Sequence, residues 1–83
     1  MDMSMLIVAQ IRAARYALRW SVADLSEKSG VSTSTIKRLE AGEGVPSISA
    51  RNLAALQAVL EAAGIEFIGR PGDAPGIRMH TRG

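Results

Sequence analysis

Apolar side chains recur at three- and four-residue steps near the start of the chain. Ile7, Ile11, Ala14 and Leu18 fall on one face of a helix predicted over residues 4–19. Arg12, Arg15 and Arg19 step along a neighbouring face. A boundary follows at Ser21, whose hydroxyl can accept from a free backbone N–H of a new first turn. Asp24, three residues on, makes a weaker form of the Ser-x-x-Glu capping box, and Trp20 and Leu25 occupy the two positions of a hydrophobic staple. These signals agree on a helix over residues 22–29. Gly30 ends it by supplying a left-handed residue. Val31 and Ile36 repeat the staple around a second cap, Ser32, which predicts a short helix over residues 33–41 with Ile36 and Leu39 inward. Gly42 and Gly44 break it.

Pro46 and Ser47 restart the chain. A longer, alanine-rich helix is predicted over residues 48–63, with Leu53, Leu56, Val59 and Leu60 as its apolar stripe, and Gly64 stops it. Residues 65–68 alternate as a short strand and residues 77–79 as another, with the glycine- and proline-rich residues 69–76 read as a turn or loop. The expected organisation is a helical unit over residues 1–64 and a short β tail over residues 65–83.

Composition narrows the chemistry. A chain of 83 residues is one domain with a thin core, for which dimerisation is a common source of extra buried area. Without cysteine there are no disulfides, thiolate metal sites or cysteine nucleophiles, and a reducing, cytoplasmic setting suits it. The net charge is only +2, but eight of the ten basic residues are arginine, whose planar fork fits phosphate and guanine edges. No signal peptide is expected, and no apolar run approaches the roughly 20 residues of a membrane span. The acidic residues lack metal-ligand spacing and the serines have no histidine base, so neither an enzyme nor a cofactor is expected. His80, the one histidine, lies near the chain end. Trp20 reads as a staple rather than a base-stacking platform, and Met1, Met3 and Met5 as terminal or gap-filling residues.

The informative unit is therefore residues 21–42, two short capped helices joined by a turn with glycine at its entrance. Such a corner lets the second helix project, and a projecting helix fits the major groove of B-DNA. Thr33, Ser34, Lys37 and Arg38 form its polar outer face. A solvated amphipathic face is the bland explanation, but caps on both sides of a glycine turn are more than such a face needs.

At these residues the chain resembles the Cro/CI-type helix-turn-helix regulators, the xenobiotic-response-element family. The likeness is carried by Arg15, Trp20-Ser21, Leu25, Gly30-Val31-Ser32, Ser34-Thr35-Ile36, Leu39-Glu40-Ala41-Gly42 and Pro46-Ser47. It implies a mostly α, lambda-repressor-like bundle of four to five helices with a short C-terminal β segment. It also implies that Thr33, Ser34, Lys37 and Arg38 face bases, that Ser21 and Ser32 lie near phosphates, and that Arg15 and Glu40 form an internal salt bridge. Many relatives carry glutamine where Val22 stands, and many carry a basic loop where this chain has Glu43-Gly44-Val45. Arg51 and Asn52 are the candidates to compensate.

The expected function is sequence-specific binding of double-stranded DNA by a transcriptional regulator, acting as a repressor on a palindromic operator. Few cations make a single copy a weak binder, so a homodimer with reading helices about 34 Å apart is expected. Ile65, Phe67, Ile68, Ile77 and Met79 are the candidate dimerisation residues. Their strands either fold back on their own domain or pair with a second copy. The competing readings are an antitoxin-type autoregulator that also binds a protein partner, and a protein-interaction module without DNA binding.

Overall fold

The computed structural model describes residues 7–42, 46–70 and 72–80. Among these, the chain forms four helices and a two-stranded antiparallel hairpin: α1 (Val8–Ala17), α2 (Val22–Ser29), α3 (Thr33–Glu40), α4 (Ala50–Ala62), β1 (Ile65–Arg70) and β2 (Asp73–Met79). The mostly helical architecture with a terminal β segment is the one expected. Ser4, Gly44 and the 43–45 loop lie outside the described residues.

Local chemistry explains the boundaries. α2 has the predicted limits: Ser21 Oγ accepts from the Asp24 N–H at 3.0 Å, and Asp24 Oδ2 accepts from the Ser21 N–H at 2.9 Å. Gly30 closes it at φ 77, donating its N–H to the Ser26 carbonyl at 2.9 Å. A Cβ at Gly30 would meet nothing within 4 Å, so its requirement is purely the left-handed backbone. Three expectations are corrected. The first helix spans Val8–Ala17 rather than reaching residue 19, because Arg19 takes the left-handed conformation. The fourth helix starts at Ala50 rather than residue 48, because Ser49 rather than Ser47 caps it, its Oγ accepting from the Asn52 N–H at 3.1 Å. Residues 69–76 are mostly strand, since the ladder runs from the Ile65–Met79 pair to Arg70–Asp73 with an irregularity between Ile68 and Arg70. Glycines and Pro75 mark a loop in the sequence, but an edge strand tolerates both.

The end of α1 is unusual. Trp20 N–H donates to the Arg15 carbonyl at 3.1 Å and Arg19 N–H to the Tyr16 carbonyl at 2.9 Å. This pair of closing bonds needs a left-handed residue and normally takes glycine. Here Arg19 holds it at φ 60, a conformation that costs a side-chain-bearing residue roughly 1–2 kcal/mol.

One core joins all the elements. Val8, Ile11 and Ala14 of α1 meet Leu25, Val31, Ile36 and Leu39 of the corner, Leu53, Leu56 and Leu60 of α4, and Ile65 and Phe67 of β1. Burial of each large aliphatic or aromatic member contributes about 1.5–3 kcal/mol. Trp20, half-buried, packs against this core as the staple requires. The hairpin is tied on by Gln10, which is buried. Its Nε2 donates to the carbonyls of Ile68 and Gly76, each at 3.0 Å, and its Oε1 accepts from the Ile7 N–H at 2.9 Å. At Gly64 (φ 105) a Cβ would stand 2.7 Å from the His80 carbonyl oxygen, so the turn from α4 into the hairpin requires glycine. No helix among the described residues is long and apolar enough to cross a membrane.

Candidate nucleic-acid interface

α3 is short, so its presentation depends on what holds it. Its inner face is Ile36 and Leu39, both buried. Its start is capped by Ser32, whose Oγ accepts from the Thr35 N–H at 3.2 Å and donates to Thr35 Oγ1 at 2.8 Å. Ser34 Oγ stands 3.3 Å from the same hydroxyl. Its far end is gripped by two arginines from α1. Arg15 makes a two-pronged pair with Glu40, Nη2 to Oε1 at 2.6 Å and Nε to Oε2 at 2.8 Å, and gives Nη1 to the Trp20 carbonyl at 2.9 Å. Both side chains of the pair are about nine-tenths buried. The Glu40 hydrogen bonds raise the Arg15 pKa above its ordinary value, so the guanidinium stays charged at any accessible pH. Arg12 donates to the Glu40 carbonyl and, at 3.4 Å, to that of Gly42, which places a cation at the negative end of the helix.

The outer face is left open. Thr33, Ser34, Lys37 and Arg38 are all exposed. Neither Lys37, Arg38 nor Arg51 has an ion-pair partner among the described residues. Arg38 and Thr35 line one side of an open groove of about 480 Å³, and Ser47, Ile48, Ser49 and Asn52 line the other. The first turn of α4 opens there, and its early backbone N–H groups lie beyond the intrahelical ladder. The structure thus brings Arg38 and Asn52 together, with exposed Arg51 beside them. Thr33, Ser34 and Lys37 form a separate strip along α3. Ser21 stands apart, at the start of α2.

This arrangement of two capped helices, with the second braced from behind and polar in front, coincides with a family match. The family model described as "Helix-turn-helix domain" matches residues 6–66. The chain belongs to this helix-turn-helix domain family. Membership supports a DNA-binding regulator. No curated protein and no solved structure matches the chain.

In this helix-turn-helix domain the tail residues divide. Ile65 and Phe67 are buried in their own core, Ile68 and Ile77 are half-buried, and Met79 is 43% exposed. The strands pair with each other within one chain, so the area of Ile65 and Phe67 is not offered to a second copy.

Several residues that shape the candidate interface carry little signal in the sequence. Arg12 shares a helix face with Arg15 three residues on, a spacing that hints at a common target but not at backbone carbonyls 28 residues away. Thr35 and Ser49 read as ordinary polar positions until α3 and α4 come together. A lone glutamine such as Gln10 gives no sign of burial.

Proposed function

We propose that this chain is a sequence-specific, DNA-binding transcriptional regulator of the Cro/CI type. It represses by occupying a palindromic operator as a homodimer. The observation that carries the reading is the asymmetry of α3: its back and far end are fixed by Ile36, Leu39 and the Arg12–Arg15–Glu40 cluster, while its front carries four exposed polar side chains. In this reading α3 enters the major groove with Thr33, Ser34 and Lys37 toward base edges. The groove shared by Arg38, Ser47 and Asn52 supports a backbone role for Arg38, with Arg51 and the first turn of α4 alongside. Ser32, whose proton is engaged by Thr35, meets the backbone through the open N-terminus of α3, and Ser21 through that of α2.

The second copy docks on the free edge of β2. His80 N–H donates to the Gly64 carbonyl at 2.7 Å, so Gly64 and His80 form a hydrogen-bonded pair. Alternation along the ladder then turns the amides of Ile77 and Met79 outward. Exposed Met79 and half-buried Ile77 flank that edge, and antiparallel pairing of two such edges generates the two-fold axis that a palindrome requires.

The test is selection of bound sites from randomised duplex, followed by titration. The parent is expected to enrich a palindrome and to sediment as a dimer at tens of micromolar. Lys37→Ala with Arg38→Ala is expected to weaken binding to that site by at least about a hundredfold while leaving the melting temperature unchanged. A selection that enriches no sequence would overturn the reading in favour of a protein-interaction module. A monomer binding each half-site without cooperativity would remove the dimer.

A further inference from the structure

We propose that Arg19 is a DNA-backbone contact: a guanidinium held out from the corner between α1 and α2 to pair with a phosphate flanking the bases read by α3. The proposal rests on the reading of α3 as the helix that enters the groove.

The first observation is conformational. Among the described residues only Arg19 and Ala74 hold a positive φ without being glycine, and Ala74 lies within the hairpin. The corner demands the left-handed residue, but no contact among the described residues demands an arginine there. Arg19 is exposed. Its guanidinium has no hydrogen bond or ion pair among the described residues. An arginine standing where the backbone favours glycine, with no partner among the described residues, points to a role outside the fold.

The second observation is the fate of its neighbours. Arg12 is engaged by the carbonyls at the end of α3, and Arg15 by Glu40 and the Trp20 carbonyl. Both cations are consumed in bracing the reading helix. Arg19 continues the same series and has no partner among the described residues.

The third is rigidity. The Arg15 bond to Trp20 ties the corner directly to Glu40, so Arg19 stands on the network that fixes α3. Trp20 is held in turn by the core and by Lys28, whose Nζ lies 5.0 Å from the ring centroid. A backbone on such a mount keeps a fixed offset from the bases under α3, so the reach of its side chain is set from a fixed point, as a contact that sets register requires. The adjacent helix opens with Val22, which has no side-chain donor, and with Ser21, whose hydroxyl serves the cap. Arg19 therefore offers this flank a cation in the planar form that suits a phosphate.

Binding to phosphate is independent of sequence, so the probe is a labelled mixed-sequence B-DNA duplex titrated over a range of salt. The full chain, Arg19→Gly and Arg19→Lys are compared, with melting temperatures measured alongside. Glycine fits the corner without strain, so Arg19→Gly is expected to melt no lower than the parent and yet to bind about fivefold to tenfold more weakly. Its salt slope should fall by about one, and Arg19→Lys should recover most of both. Equal affinity and slope for Arg19→Gly would overturn the proposal, as would weaker binding with an unchanged slope. A lower melting temperature for Arg19→Gly would show that the arginine serves the fold. If the parent itself bound no duplex, the reading of α3 would fall first and this inference with it.

Discussion

α1 is fastened to its two neighbours by opposite chemistries. Toward α3 it uses charge: Arg15 in a buried two-pronged pair with Glu40, and Arg12 on the helix-end carbonyls. Toward the hairpin it uses a neutral amide, Gln10, bridging the carbonyls of Ile68 and Gly76. The difference is one of tolerance. A buried ion pair offsets its desolvation only in good geometry, so it selects one orientation of the helix it holds. An amide on carbonyls that already belong to a ladder asks less of position and loses less when disturbed. α3 is thus held by the more exacting device and the tail by the more forgiving one.

That contrast has measurable consequences. The largest effect is expected from Arg15→Met, which strands Glu40 in the interior and should cost about 3–5 kcal/mol in denaturant unfolding. The double variant Arg15→Met with Glu40→Leu should regain most of that stability while binding DNA more weakly, because the orienting pair is gone. A double variant that binds like the parent would show that the apolar back of α3 suffices to aim it. Gln10→Leu should cost less, about 1–3 kcal/mol, and leave the affinity of a single copy for a half-site unchanged. If it cost more than Arg15→Met, the ranking of the two devices would be reversed.

The smallest effect is expected in acid. The Ser21 N–H holds the Asp24 carboxyl below its ordinary pKa, and the His80 contact does the same for Glu66 on the hairpin. A folded-state pKa below the unfolded one gives stabilisation that is present above the unfolded value, about 3.9 for Asp. It is lost as pH falls through the lowered folded value. The melting temperature should therefore decline below about pH 4, and Asp24→Asn, which keeps an acceptor for Ser21 without titrating, should flatten part of that decline. An unchanged acid profile for Asp24→Asn would mean that this cap contributes nothing measurable.

The corner between α2 and α3 was legible because its determinants are local. Ser21, Asp24, Gly30 and Ser32 act on backbone groups within four residues of themselves, and the structure realises each bond. The Arg15–Glu40 pair was reached through family likeness, since its members stand 25 positions apart. The hairpin was half legible: alternation marked Ile65 and Phe67, but glycine and proline hid the strand continuing through residues 73–76.

The sequence by itself determined the capped helices, the glycine stop at Gly30, the inward apolar stripes and the four polar positions along α3. Each follows from periodicity or from hydrogen bonds closed within a turn or two. Only the tertiary structure decided which charges are spent and which are free. Arg12 and Arg15 look in sequence like Arg19, yet packing α1 against α3 consumes the first two and leaves the third exposed in a left-handed turn. It also brought Arg38 to Asn52 across a groove and closed Ile65 and Phe67 inside their own chain. The availability of a side chain depends on what distant segments bring beside it, and no local pattern records that.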